Sequence, residues 1–221
     1  MDGIHEHKLD NGLNVLVREA TSIPVVAMYM TYQIGSRHEC AGQTGISHML
    51  EHMMFKGSKR FNASNGNSIF SALQRTGATV NATTSLDRTH YFNIVPSAHV
   101  SLSMDIESDR MTQALIRPDD LESERKVVLA EHDFRLDDSM EQLCQAVWSA
   151  AFTTHGYHHP TIGWRCDIER ISRAQLIDYY RQHYTPANAT LTLVGDIRFD
   201  QAVSLANRHF SSIPRSAGAA H

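Results

Sequence analysis

Residues 44–57 read Thr-Gly-Ile-Ser-His-Met-Leu-Glu-His-Met-Met-Phe-Lys-Gly. The run from about Thr44 to Phe55 predicts a helix, because its apolar side chains recur at helical spacing: Ile46, Met49, Leu50, Met53 and Met54. Such a stripe is typical of a helix packed on a core, and we assign it no other role. Two histidines and a glutamate interrupt this apolar helix, where burying them without partners would be costly. The stretch therefore predicts a core helix that carries a polar site.

The polar residues of this helix have the spacing of a zinc site. His48 and His52 are four residues apart, so both imidazoles project from one face about one turn apart. Two nitrogen ligands so placed suit one tetrahedral zinc ion, at roughly 2.0–2.1 Å from each nitrogen. Glu51 lies beside them and can take a proton from water whose pKa the zinc has lowered. The alternative interpretation is a polar helix face with two incidental histidines.

A catalytic zinc ion also needs a third protein ligand and an open position. A later helix, predicted from Pro118 toward Leu136, offers Glu124 and Glu131. Seven residues is about two helical turns, so both carboxylates fall on one stripe. Acidic pairs on a helix are usually solvated, so this pair gains weight only beside the histidine motif.

Taken together, these motifs resemble the pitrilysin/insulinase family of metallopeptidases, which includes the mitochondrial processing peptidases and carries an inverted H-x-x-E-H motif. The resemblance covers nearly the whole chain. Its motifs are Leu9-Asp-Asn-Gly-Leu-Asn-Val-Leu-Val17, Gly45 through Gly57, Gly77-Ala-Thr-Val-Asn-Ala-Thr-Thr84, Glu124-x6-Glu131, and Tyr184-Thr-Pro186 through Val194-Gly-Asp196. In combination they are highly specific.

The resemblance implies a metal-site role for five residues. His48, His52 and Glu131 would be the ligands of one zinc ion per chain, and Glu51 the catalytic base. Glu124 would orient a ligand histidine, as metal sites commonly require.

The resemblance also implies how substrate and partner are bound. Asn81 and Ala82 match positions that hold an extended peptide, which agrees with a peptide adding to an exposed sheet edge. Phe55 would line a side-chain pocket, although an aromatic one turn beyond His52 is as readily a core residue. Enzymes of the family contain repeated domains of about this size, and an opposing half contributes an Arg and a Tyr near the metal. A homologous partner domain or subunit, in a homodimer or heterodimer, is therefore expected.

The rest of the chain favours an α+β fold. Asp10-Asn11-Gly12 is a strong turn signal between two strands, strands open the chain, and helices dominate its second half. By resemblance the sheet is mostly antiparallel with helices packed on one face, as one repeat of the pitrilysin/mitochondrial-processing-peptidase-like fold. The absence of a strong linker predicts a single zinc-peptidase domain over residues 1–215, followed by a disordered tail at 216–221.

Composition narrows the possible partners and locations. The net charge of −4 gives no electrostatic case for nucleic acid, and no apolar run reaches the length needed to span a bilayer. No signal peptide is visible, which favours the cytoplasm, or the periplasm if the numbering starts at a mature or engineered end. Cys40, Cys144 and Cys166 are too few and too scattered for a disulfide framework or a thiolate zinc site, so free thiols are expected.

Three functions fit these observations. The leading one is a zinc peptidase domain acting on extended or unfolded peptides, with weak or no activity as an isolated domain. The second is a non-catalytic scaffold of the same fold, which would typically lose motif residues. The third is a zinc hydrolase or lyase for a small molecule, which a deep closed pocket would favour over a groove along a sheet edge.

Overall fold

The computed structural model describes residues 3–215, so the predicted tail at 216–221 lies outside the described residues. One six-stranded sheet organises this part of the chain, in the spatial order β1-β2-β6-β3-β5-β4. Its strands are β1 Ile4–Lys8, β2 Asn14–Glu19, β3 Val25–Tyr32, β4 Thr79–Thr84, β5 Thr89–Pro96 and β6 Ala189–Gly195. Strand β6 pairs parallel with β2, and the other four pairings are antiparallel. The expected mostly antiparallel sheet is confirmed.

Eight α-helices in the described part of the chain complete the α+β fold. They are α1 Ile46–Phe55, α2 Ile69–Gln74, α3 Val100–Gln113, α4 Pro118–Leu136, α5 Ser139–Ala151, α6 Arg165–Ile168, α7 Arg173–His183 and α8 Phe199–Phe210. None of the described helices is long and apolar enough to cross a membrane. The three cysteines are unpaired and exposed.

The core lies between one face of the sheet and the helices. Alternate residues of the central strand β3 are fully buried, because successive side chains of a strand point to opposite faces. The apolar stripe of α1 packs into the same core, and its five apolar side chains are each 1% exposed or less. The interpretation of that stripe as core is confirmed.

Two local details differ from the sequence prediction. Helix α1 begins at Ile46 rather than Thr44, since Gly45 has a left-handed backbone (φ +86°) that ends the preceding loop. Helix α6 was not predicted, because four residues are too few to show a helical period.

The order of the strands places one edge of the sheet beside α1. Strand β4 is the last in the sheet and pairs only with β5, so its other side is open among the described residues. Helices α1 and α4 contact each other, and α1 also contacts β4. The motif helix, the acidic helix and the open strand therefore meet at one place.

Candidate metal centre

The start of α1 is fixed by a buried carboxylate. Glu39 accepts hydrogen bonds from the backbone N–H of Gly45 (2.7 Å) and of Ser47 (2.9 Å), two of the groups that a helix N-terminus leaves unpaired. Burial raises the pKa of Glu39 to about 7, against the opposing effect of these hydrogen bonds. The loop before α1 is also tied down, because Thr44 Oγ1 donates to Asp167 (2.7 Å) and accepts from the N–H of Trp164 (2.8 Å). These contacts set the position of the motif helix.

The two motif histidines and Glu131 converge. Glu131 Oε2 lies 3.6 Å from His48 Nε2 and 3.7 Å from His52 Nε2. One ligand atom from each of the three residues lies within 4.8 Å of the other two. Ligand atoms of a tetrahedral zinc site are roughly 3.3 Å apart for bonds of roughly 2.0–2.1 Å. Two imidazoles and a carboxylate at this spacing therefore fit a zinc ion with little rearrangement.

The electrostatics of the group suit a cation. Burial, together with the neighbouring His52 ring, lowers the pKa of His48 to about 4, so this imidazole is neutral at physiological pH, as a metal ligand must be. Burial would raise the pKa of Glu131, but His48 and Arg135 outweigh it and lower the pKa. Arg135 lies 2.7 Å from Glu131 Oε1, which leaves Oε2 directed at the histidines. Glu131 is therefore a carboxylate with one oxygen available to an ion.

Glu124 lies behind His52. Its Oε2 is 2.9 Å from His52 Nδ1, and its Oε1 forms an ion pair with Lys56. The hydrogen bonds from Lys56 and His52 lower the pKa of Glu124 although burial opposes this. An ionised Glu124 holds the proton of His52 on Nδ1 and leaves Nε2 free to bind a metal.

Glu51 lies on the inner side of this group and is 9% exposed. Its Oε2 accepts a hydrogen bond from Thr84 Oγ1 at 2.5 Å, a contact between α1 and β4 that the sequence analysis did not anticipate. Burial raises the pKa of Glu51, and the Thr84 hydroxyl opposes that rise. The Thr84 hydroxyl thus contacts one oxygen of the Glu51 carboxylate, and the backbone of Thr84 also lowers the pKa of Glu51.

Asn81 and Ala82 lie on the edge strand β4. Asn81 is exposed, whereas Ala82 is buried and belongs to the core. The Asn81 side chain accepts a hydrogen bond from the backbone N–H of Ala82 (2.9 Å), so that N–H is satisfied within the strand. A peptide pairing there would have to displace this carboxamide.

A cleft of about 420 Å³ joins the metal group to the strand edge. Its lining residues are Glu51, His52, Phe55, Lys56, Phe70, Asn81 and Glu124. Phe55 is half-buried, stacks on Phe70 with ring centroids 5.0 Å apart, and also packs against the core, so it contacts both the cleft and the core. Beneath it, the buried Arg110 lies 4.1 Å over the Tyr91 ring and pairs with Glu107.

Sequence reasoning missed several residues of this site. Arg135 lies four residues after Glu131, a spacing at which oppositely charged side chains pair on a helix, so it was detectable. Lys56 had no such signal, since it meets Glu124 across two helices. Glu39 and Thr84 contact α1 from a loop and from a strand, and only the folded chain reveals these contacts.

This set of side chains has the composition of a metal-binding site. Two imidazoles and a carboxylate can hold one zinc ion, a buried carboxylate lies beside them, and a strand edge borders the cleft. The fold and the candidate site together define a zinc-peptidase-like domain.

Comparison with known proteins identifies the family. The model of the family described as Insulinase (Peptidase family M16) matches residues 14–164, and the model described as Peptidase M16 inactive domain matches residues 170–221. The chain belongs to the M16 (insulinase/pitrilysin) family, and the resemblance stated from the sequence is confirmed.

Individual proteins agree with this assignment. The chain is 32% identical over 207 residues to a protein of Helicobacter pylori named zinc protease PqqE, covering 93% of this chain and 46% of that protein. The crystal structure of a protease from Helicobacter pylori superposes with a TM-score of 0.92 at 29% identity, covering 98% of this chain and 52% of the other. The periplasmic protease PqqL from Escherichia coli superposes with a TM-score of 0.90 at 26% identity, covering 100% of this chain and 25% of the other. The chain thus spans about half the length of the curated relatives it matches.

Proposed function

We propose that this chain is the zinc-bearing domain of a metallopeptidase that hydrolyses peptide bonds in extended or unfolded peptides. The convergence of His48 Nε2, His52 Nε2 and Glu131 Oε2 on one point carries the proposal. Relatives named zinc proteases support it.

The chain's own residues supply the proton transfers. Zinc held by this group provides Lewis-acid chemistry, polarising a carbonyl and acidifying a water molecule. Glu51 takes the proton from the attacking water and passes it to the nitrogen of the leaving amine. Glu124 keeps His52 in the tautomer whose Nε2 faces the metal group, and Arg135 holds the oxygen of Glu131 that faces away from it.

The substrate class follows from the place of the cleft. It borders the open edge of β4, where a peptide can add as a further strand and make backbone hydrogen bonds irrespective of its sequence. Asn81 and Ala82 bind the peptide backbone there, and Phe55 with Phe70 receives an apolar side chain. The site is also partly open, since the side chains of His52 and Glu131 are 21% and 31% exposed. This favours a peptide over a small molecule enclosed in a deep pocket.

A homologous partner domain completes the enzyme. The chain spans 46% of the Helicobacter relative, and a single catalytic wall leaves the cleft in contact with bulk water. An unpartnered apolar surface supports the same proposal. No residue of α5 is buried. Of the twelve exposed large apolar side chains among residues 3–215, half lie in the segment 134–148: Phe134, Leu136, Met140, Leu143, Val147 and Trp148. We assign this apolar surface of residues 134–148 to contact with a second domain of the same fold.

The test separates metal binding from catalysis. Glu51→Gln keeps the size of the side chain and removes the base, so zinc content should persist while peptide hydrolysis falls by roughly 10²- to 10⁴-fold. His52→Ala should lose zinc and activity together. Zinc is measured by elemental analysis of the purified protein, and hydrolysis with an unfolded peptide in the presence of a candidate partner domain.

The same measurements test the alternative that the chain is a non-catalytic scaffold of the same fold. The match of residues 170–221 to the model of an inactive domain is the observation that favours this alternative. A scaffold would show no hydrolysis in the wild-type protein under any partner condition. Near-normal hydrolysis by Glu51→Gln would instead overturn the proposed mechanism.

A further inference from the structure

Thr84 connects the open strand β4 to the carboxylate of Glu51. Its Oγ1 lies 2.5 Å from Glu51 Oε2, a short charge-assisted hydrogen bond if the carboxylate is ionised. Among the described residues it is the only hydroxyl that hydrogen-bonds this carboxylate. Thr84 lies two residues after Ala82, so both side chains are on the inward face of β4, and the side chain of Thr84 points toward α1.

This hydrogen bond gives the two oxygens of the Glu51 carboxylate different surroundings. A carboxylate has two oxygens, and the Thr84 hydroxyl contacts only Oε2. Glu51 lies on α1 between the two histidines, so its other oxygen is the one that can serve the site. Without the hydroxyl, the Glu51 carboxylate would keep the backbone hydrogen bond from Thr84 but lose its side-chain partner, and the last torsion of a glutamate side chain is broad and roughly two-fold.

We infer that Thr84 is a positioning residue for the catalytic base: its hydroxyl orients the Glu51 carboxylate and ties that orientation to the strand edge that receives the peptide. This inference rests on the proposed function. It assigns to β4 a second task beside peptide pairing, because the Thr84 hydroxyl joins this strand to Glu51 of α1. The base is then aligned by the same element that aligns the substrate.

Isosteric substitution tests the inference. Thr84→Val keeps the shape of the side chain and removes the hydroxyl, and we expect kcat to fall about 10- to 100-fold, as for partners that orient metal-site residues. The KM for the peptide and the zinc content should stay within about two-fold of wild type, and Thr84→Ser should restore most of the activity. Thr31→Val is the matched control, since Thr31 is also a half-buried strand threonine but lies on β3, two strands away.

A double-substitution cycle distinguishes positioning from a purely structural role. In the Glu51→Gln background, Thr84→Val should produce no further loss of kcat, because the hydroxyl acts through the carboxylate. The same cycle is measured on the zinc-free protein by urea unfolding, where the effects of the two substitutions on the unfolding equilibrium constant should be non-additive. Both measurements use the zinc-loaded or zinc-free full chain, with the partner domain added for the kinetics.

Each outcome bears on one idea. If Glu51→Gln abolishes hydrolysis but Thr84→Val leaves kcat unchanged, the inference is wrong and the proposed function stands. The inference is also overturned if Thr84→Val lowers kcat by the same factor in the Glu51→Gln background as in the wild-type background. It is overturned as well if Thr84→Ser fails to restore activity. If Glu51→Gln itself retains hydrolysis, the proposed function fails first.

Discussion

At the scale of single residues, the buried carboxyl of Glu39 has the clearest consequence for pH. Its side chain caps α1 from inside the protein, and burial raises its pKa from an ordinary 4.5 to about 7. The folded protein therefore holds a proton that the unfolded chain releases above about pH 4.5. By linkage this contribution to stability is present below pH 4.5 and is lost as the pH rises to about 7.

Substitution of Glu39 should flatten the pH dependence of stability. A carboxyl with these two pKa values accounts for a loss on the order of 2–3 kcal/mol of unfolding free energy between pH 5 and 8. The side chain at position 39 cannot ionise in the Glu39→Gln variant. Between pH 5 and 8 the unfolding free energy of this variant should therefore fall by about 2–3 kcal/mol less than that of the wild-type protein. Urea unfolding of the zinc-free proteins at both pH values measures the difference. Histidines remote from Glu39 cancel because both proteins share them, so the comparison reports Glu39 together with His159, whose Nδ1 lies 3.9 Å from Glu39 Oε2. Parallel pH profiles would show that Glu39 is already ionised throughout.

At the scale of elements, helix α1 depends on a tight contact between two loops. Gly45 has φ +86°, and a Cβ there would lie 2.3 Å from the carbonyl oxygen of Ile162. Gly42 also has a left-handed backbone (φ +87°), but a Cβ there would meet nothing within 4 Å. Comparing alanine substitutions at Gly45 and Gly42 therefore separates the free-energy cost of the left-handed backbone from that of the contact with Ile162.

Gly45→Ala should consequently be far more damaging than Gly42→Ala. The left-handed conformation alone costs an alanine about 1–2 kcal/mol, which both variants incur. Gly45→Ala must in addition displace backbone at the start of the motif helix, so we expect at least about 2 kcal/mol of further destabilisation and weaker zinc binding. Thermal unfolding and zinc titration measure the two effects. Equal behaviour of the variants would mean that the loop at 162–163 moves aside freely.

The elements also show how far the sequence could predict this molecule. The spacing of His48, Glu51 and His52 is a local property of one helix, so their common face could be predicted, as could the two strands that flank the turn at residues 10–12. The insertion of β6 between β2 and β3 could not, because it pairs residues more than 150 positions apart and no local pattern records it. Helical spacing placed Glu124 and Glu131 on one stripe, and the resemblance to a family then assigned their separate roles.

Contacts between elements were equally hidden in the candidate site. Thr84 meets Glu51 across 33 positions of sequence, and Thr44 meets Asp167 across 123. A threonine in a strand has many possible partners, and only the packing of β4 on α1 selects one. The residues proposed to bear the chemistry, and Glu124 behind His52, could thus be predicted, whereas Thr44 and Thr84, which hold α1 from other elements, could not.

At the scale of the whole molecule, the apolar surface of residues 134–148 contrasts with the well-packed core. Stable isolated domains seldom expose a large contiguous apolar patch, and those that do commonly use it for binding. Beside α5 lies a cavity of about 200 Å³, with Trp148, Tyr157 and Ile162 among its lining residues. A second domain docked here would cover α5 and adjoin the metal group, since His132 and Arg135 of α4 line the same cavity.

The isolated chain should therefore fold and bind zinc but cleave peptides weakly, and a partner domain of the same fold should restore hydrolysis through this surface. A site closed from bulk water, with donors already placed for the charge on the carbonyl oxygen, needs a second wall.

The double variant Leu143→Lys/Val147→Lys should change the unfolding free energy of the isolated chain by no more than about 0.5 kcal/mol, because both side chains are exposed. It should nevertheless abolish the gain in hydrolysis on adding the partner domain, whereas Ile23→Lys, at an exposed apolar residue remote in sequence, should not. Association is followed by sedimentation velocity and hydrolysis with an unfolded peptide. Full activity from the strictly monomeric wild-type chain would contradict the need for a partner, and undiminished association of the double variant would place the interface on another face.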